Sequence, residues 1–184
     1  FRVRSGLTIP TPRLYEDMLF VTSFYNGPLM LRLAKDKPKA ELVWKATGRS
    51  ERVTKQLHAI MCTPFLEDEH IYGVCSYGQF RCLKIATGQR VWESFKPVVG
   101  SSGRWANAFL VKHRDRFFIQ NEKGELIIAK LSPKGYEEIS RAKLIEPTGK
   151  AQDRQIVWSH PAFANRSVYL RNDNEIRCYS LAKQ

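Results

Sequence analysis

No stretch of this chain holds the roughly 18 consecutive apolar residues that a membrane-crossing helix needs. None shows the i, i+3, i+4 apolar spacing of an amphipathic helix either. Metal and nucleophile signatures are also lacking: there is no CxxC pair, no adjacent cysteines, no His at metal-ligand spacing, no HExxH, no phosphate-cradling P-loop and no Gly-x-Ser-x-Gly elbow. A structural zinc site is therefore not expected, and no residue is nominated as catalytic. Cys62, Cys75, Cys82 and Cys178 are too few and too scattered for a disulfide framework, and they read as small buried hydrophobes on strands. A leading Met is missing too. The chain opens at Phe1 without a visible signal peptide and reads as a processed or truncated piece, which leaves targeting open.

Acid is in short supply. Eighteen Asp and Glu face thirty Lys and Arg, a net charge of +12. Such an excess favours polyanions. The cations are dispersed, however, and the densest run, Lys112-His113-Arg114-Asp115-Arg116, is a polar turn between two apolar runs. Interleaved aromatics of the kind that stack on nucleic-acid bases are not evident, so nucleic acid is not the expected partner. The acidic run Glu67-Asp68-Glu69 also falls between two strands and reads as a solvated turn, since calcium needs six to eight oxygens converging from several directions.

What the chain does have is a repeat. Leu19-Phe20-Val21, Ile71-Tyr72-Gly73-Val74, Phe117-Phe118-Ile119 and Val168-Tyr169-Leu170 each precede a polar or Gly-bearing turn and a second strand. Leu33, Ile85, Leu131 and Leu181 mark the ends of those second strands, at intervals of about 50 residues. Phe80 and Cys82 alternate with Arg81 and Leu83 at the period of a strand. A further strand stands upstream of each hairpin, at 61–66, 106–111 and 159–163, with Pro12, Pro64 and Pro161 near its start. A fourth follows as Leu42-Val43-Trp44, Arg90-Val91-Trp92 and, more weakly, Tyr136-Glu137-Glu138-Ile139. Four antiparallel strands per unit make an all-β chain of about four propeller blades, approximately 12–45, 60–93, 105–140 and 158–184. The last unit stops after its third strand, and residues 1–11, with Phe1-Arg2-Val3-Arg4 alternating as a strand does, are candidates for its outer closing strand.

Ile85-Ala86-Thr87-Gly88-Gln89-Arg90-Val91-Trp92 resembles the pyrroloquinoline-quinone (PQQ)-like repeat, in which an Ala-x-x-Gly turn precedes a strand carrying a docking Trp. Trp44 fits without its own Thr-Gly turn, and the third unit places Ile139 where the Trp would stand. The resemblance extends to BamB-like outer-membrane assembly proteins and quinoprotein dehydrogenases. It implies a structural, blade-docking role for Trp44 and Trp92 and a periplasmic or otherwise extracytoplasmic location. Relatives typically carry seven or eight blades. A C-terminal portion of a larger ring, with N-terminal blades missing, or a homodimer of half-rings is thus expected.

Polar and aromatic residues gather where the blades begin: His58, then Arg104, Trp105 and Asn107, then Arg154, Trp158, Ser159 and His160. First strands line a propeller's channel, so His58, Arg104, Trp105, Asn107, Arg154 and His160 are the candidate ligand-binding set at its mouth. The competing reading makes Asn107 and His160 local backbone partners and the tryptophans packing. The function expected is a non-catalytic scaffold for a protein or cell-surface polymer, with no cofactor or metal. A fragment of a quinoprotein alcohol or sugar oxidoreductase, using PQQ and calcium, is the alternative, and a polyanion binder the third reading.

Overall fold

A computed structural model describes residues 6–182, so the closing strand sought at Phe1-Arg2-Val3-Arg4 lies outside the described residues. Among those described there is no α-helix. Strands β1 (Arg13–Tyr15), β2 (Met18–Val21), β3 (Leu29–Leu33) and β4 (Ala40–Lys45) form the first antiparallel sheet in sequence order. β5 (Phe65–Glu67), β6 (His70–Val74), β7 (Phe80–Lys84) and β8 (Arg90–Ser94) form the second. The third comprises β9 (Ala108–His113), β10 (Arg116–Asn121), β11 (Glu125–Ser132) and β12 (Gly135–Lys143). A two-stranded ribbon of β13 (Gly149–Ala151) and β14 (Arg154–Ile156) then precedes a three-stranded sheet of β15 (Ala162–Ala164), β16 (Ser167–Arg171) and β17 (Ile176–Ser180). The chain is a run of propeller blades, with the ribbon as an insertion that the repeat pattern does not anticipate.

Local chemistry explains the boundaries. Pro12, Pro64 and Pro161 stand immediately before β1, β5 and β15, where a missing N–H breaks no ladder bond. The first and second strands of every blade join through two residues: Glu16-Asp17, Asp68-Glu69, Arg114-Asp115 and Asn165-Arg166. Positive φ at Glu16, Asp68, Glu69, Arg114, Asn165 and Arg166 gives these hairpins the left-handed backbone that matches strand twist. The acidic run is one of them. Glu67, the last residue of β5, is ion-paired to Lys112 Nζ at 2.5 Å.

Three apolar clusters hold the blades together, one per junction. Met18, Phe20 and Met30 of the first blade meet Leu66, Ile71 and Leu83 of the second. Val74 and Phe80 meet Phe117, Ile119, Ile127 and Ala129. Leu126 and Phe118 meet Val168, Leu170 and Phe163. Two indoles lock the first two junctions. Trp44 Nε1 donates to Ile85 O at 2.7 Å, and Trp92 Nε1 donates to Ser132 O at 2.8 Å. Each Trp thus reaches the turn between the third and fourth strands of the following blade. Gly88 in that turn has φ +67, and a Cβ there would lie 2.8 Å from Trp44 Cε3. The Thr-Gly turn and the docking Trp of one motif therefore serve different junctions: Gly88 receives Trp44, and Trp92 leaves for the next blade.

The outer strand carries a bulge at the same place in three blades. Met30 pairs with Trp44 and Leu31 with Leu42, which leaves Val43 extra. Cys82 pairs with Trp92 and Leu83 with Arg90, leaving Val91. Ile128 pairs with Ser140 and Ala129 with Glu138, leaving Ile139. The Trp position of the third blade is consequently Ser140, not Ile139, because the bulge advances the register by one. Cys62, Cys75 and Cys82 are buried, whereas Cys178 is exposed, since β17 is an edge strand with no fourth strand beside it in the described residues.

Among the described residues one sheet face is uncovered. Leu14 pairs with Leu19, Leu19 with Leu31, and Leu31 with Leu42, a row of leucines across all four strands of the first blade. Leu14 is 61% and Leu42 55% exposed. In the second blade the matching residues Leu66, Ile71 and Leu83 are covered by the blade before it. Gly88→Ala is expected to cost about 2 kcal/mol, through a strained φ and overpacking against Trp44, measured as a lower urea midpoint at unchanged m-value.

Candidate functional site

Alternating strand direction puts the turn between second and third strands on the same face as the connection to the next blade. All the long connections lie there: residues 46–64, 95–107 and 144–161. The opposite face has the two-residue hairpins and the short turns between third and fourth strands. Elaboration of one face by loops on a rigid sheet array is where binding groups concentrate.

Buried charge fixes these loops. Arg81, on β7 and 2% exposed, donates through Nε to Glu93 Oε2 at 2.7 Å. Its Nη1 reaches Thr54 Oγ1 at 2.8 Å, Cys75 Sγ at 3.1 Å and the Gln56 carbonyl, stapling 46–64 to the second blade. Glu122, 1% exposed, does the same for 144–161. Its Oε1 accepts from Arg154 Nε at 2.7 Å, and its Oε2 accepts from Trp158 Nε1 at 3.0 Å and from the Asn107 backbone N–H at 3.1 Å. Val157 N–H closes the anchor on Glu122 O at 2.8 Å.

Above these anchors Arg104, Trp105 and Arg154 come together, with His58 joined to them through Phe24. Arg104 lies over the rings of Trp105, at 4.9 Å, and Phe24, at 5.7 Å, bridging loop 95–107 to the first blade. Its carboxylate neighbour, Glu51, is 4.0 Å from Nη2, and the Arg104 side chain is 36% exposed. Arg154 Nη2 donates to the Arg104 carbonyl at 3.0 Å. Trp105 has φ +65, an uncommon conformation for a bulky residue, held by its N–H on Ser76 O at 2.9 Å. His58 is buried below, with Nδ1–H donating to Phe24 O at 3.0 Å. Burial holds its pKa below the ordinary 6.5, with Arg81 adding to the shift and the Phe24 bond and Glu51 opposing it.

The remaining two stand apart. His160 is exposed and packs on Phe109, centroids 3.8 Å apart, with its pKa lowered by partial burial. Asn107 is 1% exposed, and neither its side-chain Oδ1 nor its Nδ2 has a partner among the described residues. Its backbone, not its amide, bonds Glu122. Glu122, Glu51, Phe24 and Arg81 were not picked out by sequence. Glu122 stands in a Lys-Gly turn where a solvated acid is the default, and only the fold of 144–161 over it reveals its burial.

Fold and loop face together define a segment of a β-propeller with one built-up end. No protein-family model matches the chain, and no curated protein matches its sequence. Solved structures do. BamB from Moraxella catarrhalis superposes with TM-score 0.54 at 12% identity, over 92% of this chain and 41% of that one. The computationally designed Ika8 protein gives 0.54 at 10% identity, over 92% and 45%. A europium-containing methanol dehydrogenase gives 0.53 at 12% identity, over 92% and 39%. The chain has the propeller fold shared by BamB and the methanol dehydrogenase, and spans less than half the length of these structures.

Two measurements probe the anchors. Folding stability should fall as pH drops below 6.5, because the unfolded chain protonates His58 while the folded one resists. The slope reaches at most about 1.4 kcal/mol per pH unit, and His58→Gln should remove that part of it in pH-dependent urea unfolding. Glu122→Ala strands Arg154 and the Trp158 N–H, at a cost of about 3 kcal/mol, with hydrogen-exchange protection lost first in 144–161.

Proposed function

We propose that this chain is a non-catalytic scaffold whose loop-bearing face binds a protein or a cell-surface polymer outside the cytoplasm. The observation that carries the reading is the Arg104 platform. A guanidinium lies over two aromatic rings and is paired to Glu51 only at 4.0 Å, at the place where loops from three blades meet. Arg and aromatic side chains are the groups on which binding energy concentrates. The left-handed backbone of Trp105 supports it: such strain costs about 1–3 kcal/mol and gathers at ligand clamps. The other charges are committed to structure. Arg81 and Glu122 make protein bonds with every group that faces the loops, so they position rather than react.

A calcium-bound quinone does not fit these residues. Both Glu122 oxygens are taken by protein donors, and no group of three or more His, Cys, Asp or Glu converges among the described residues. No helix among the described residues is long and apolar enough to cross a membrane.

Binding to envelope fractions of the source cell, followed by sedimentation, tests the proposal. Arg104→Ala and Trp105→Ala should each weaken binding about tenfold or more, with wild-type binding retained at about 0.5 M salt. Equal binding by all three proteins, stripped by that salt, would reduce the interaction to net charge and overturn the reading.

A further inference from the structure

The opposite face holds a cleft of about 450 Å³ between the third and fourth blades, away from the Arg104 platform and from every loop anchor. Its walls are Val111, Phe118, Phe163 and Leu181, with His113 and Arg166 at the rim. Phe118 and Phe163 stack with centroids 5.0 Å apart at 25°, and the His113 ring lies 5.8 Å from Phe118.

The repeat explains why the cleft is there. At the junction before it, Phe65 pairs with Tyr72 where Val111 pairs with Phe118. Phe65 packs edge-on against Phe117 at 5.1 Å, and Lys112 lies over Phe117 while bound to Glu67. That ion pair and ring pack together, with Lys112 also lying over Phe65 at 5.9 Å. At the next junction the equivalent places hold Val111 for Phe65, His113 for Glu67, Phe163 for Lys112 and Arg166 for Asp115, so the ion pair is absent, two carboxylates are replaced and a smaller side chain stands where Phe65 does. No acidic side chain lines the cleft. Lys112 is taken by Glu67, but Arg166 and His113 make no ion pair among the described residues.

We propose that this cleft binds a small apolar carboxylate, an aromatic acid being the simplest member. Size places it in the range of small-molecule sites. The stacked phenyls accept a flat apolar body. Arg166, whose backbone is fixed by the left-handed turn Asn165-Arg166 and by Leu181 N–H on its carbonyl at 2.7 Å, supplies an exposed guanidinium as a carboxylate partner at the rim. A neutral apolar molecule would gain the walls and forgo the rim. A dianion would lack a second acceptor of its charge inside.

Calorimetric titration of the 184-residue protein with 2-naphthoate and with neutral 2-naphthalenemethanol is the test. The acid should bind about tenfold tighter or more than the alcohol. Val111→Phe, which restores the ring present at the preceding junction, should weaken naphthoate about tenfold or more while leaving the melting temperature within a few degrees. Arg166→Glu, on an exposed turn outside the packed core, should abolish the preference for the acid, so the proposal is checked even if Val111→Phe misfolds. Equal affinity for acid and alcohol would overturn it. So would naphthoate binding that survives both substitutions, or that Arg104→Ala weakens, which would put the anion on the loop face.

Discussion

The indole N–H that runs from one blade to the turn of the next is the bond on which this architecture depends. A single antiparallel sheet buries one face poorly by itself, and stacking sheets side by side gains apolar burial but leaves their relative height undetermined. Trp44 on Ile85 and Trp92 on Ser132 fix that height, since each donor has one acceptor within reach. The bulges at Val43 and Val91 are part of the same device: they turn the outer strand so that the following Trp faces the next blade. Where the Trp is replaced by Ser140, the junction is held by the Phe118–Phe163 stack and by Tyr179 OH donating to Leu144 O at 2.5 Å.

Loop order follows from a second use of burial. Arg81 and Glu122 lie inside the protein, with their charges divided among several partners, and each ties one long connection to a strand or turn beneath it. Buried charge is costly to leave unmatched, so these loops have few alternative positions. The face above them is therefore a preorganised surface. Arg104 and Trp105 are presented on it rather than recruited to it, which lowers the entropy lost when a partner arrives.

Much of the fold was legible because its signals are local. The alternation in β7, the prolines at 12, 64 and 161, and the turn residues between strands each report on a few neighbours only. The bulge was not legible. Ile139 looks like the register mate of Trp92 until the pairing of Ile128 with Ser140 is known, and that pairing is set by a partner strand. The ribbon of β13 and β14 was missed because Gly-Lys-Ala and Arg-Gln-Ile carry no alternation. At the site, position near the start of a blade picked out Arg104, Trp105 and Arg154, which lie together, and His58, which is joined to them only through Phe24. His160 shares that position but turns to Phe109, and Glu122 was hidden because its burial is conferred by residues more than thirty positions away.

In a solution of the 184-residue chain the leucine row left uncovered among the described residues has a colloidal consequence. Leu14, Leu19, Leu31 and Leu42 form an apolar strip with the composition of a blade junction, on a molecule carrying a net charge of +12. Long-range repulsion keeps copies apart in dilute buffer, while the strip rewards close approach. Added salt shortens the reach of the first without weakening the second. Ionic strength thus sets the balance between dispersed and clustered chains, and a buffer chosen to suppress charge-driven sticking is the one that exposes the strip's own attraction.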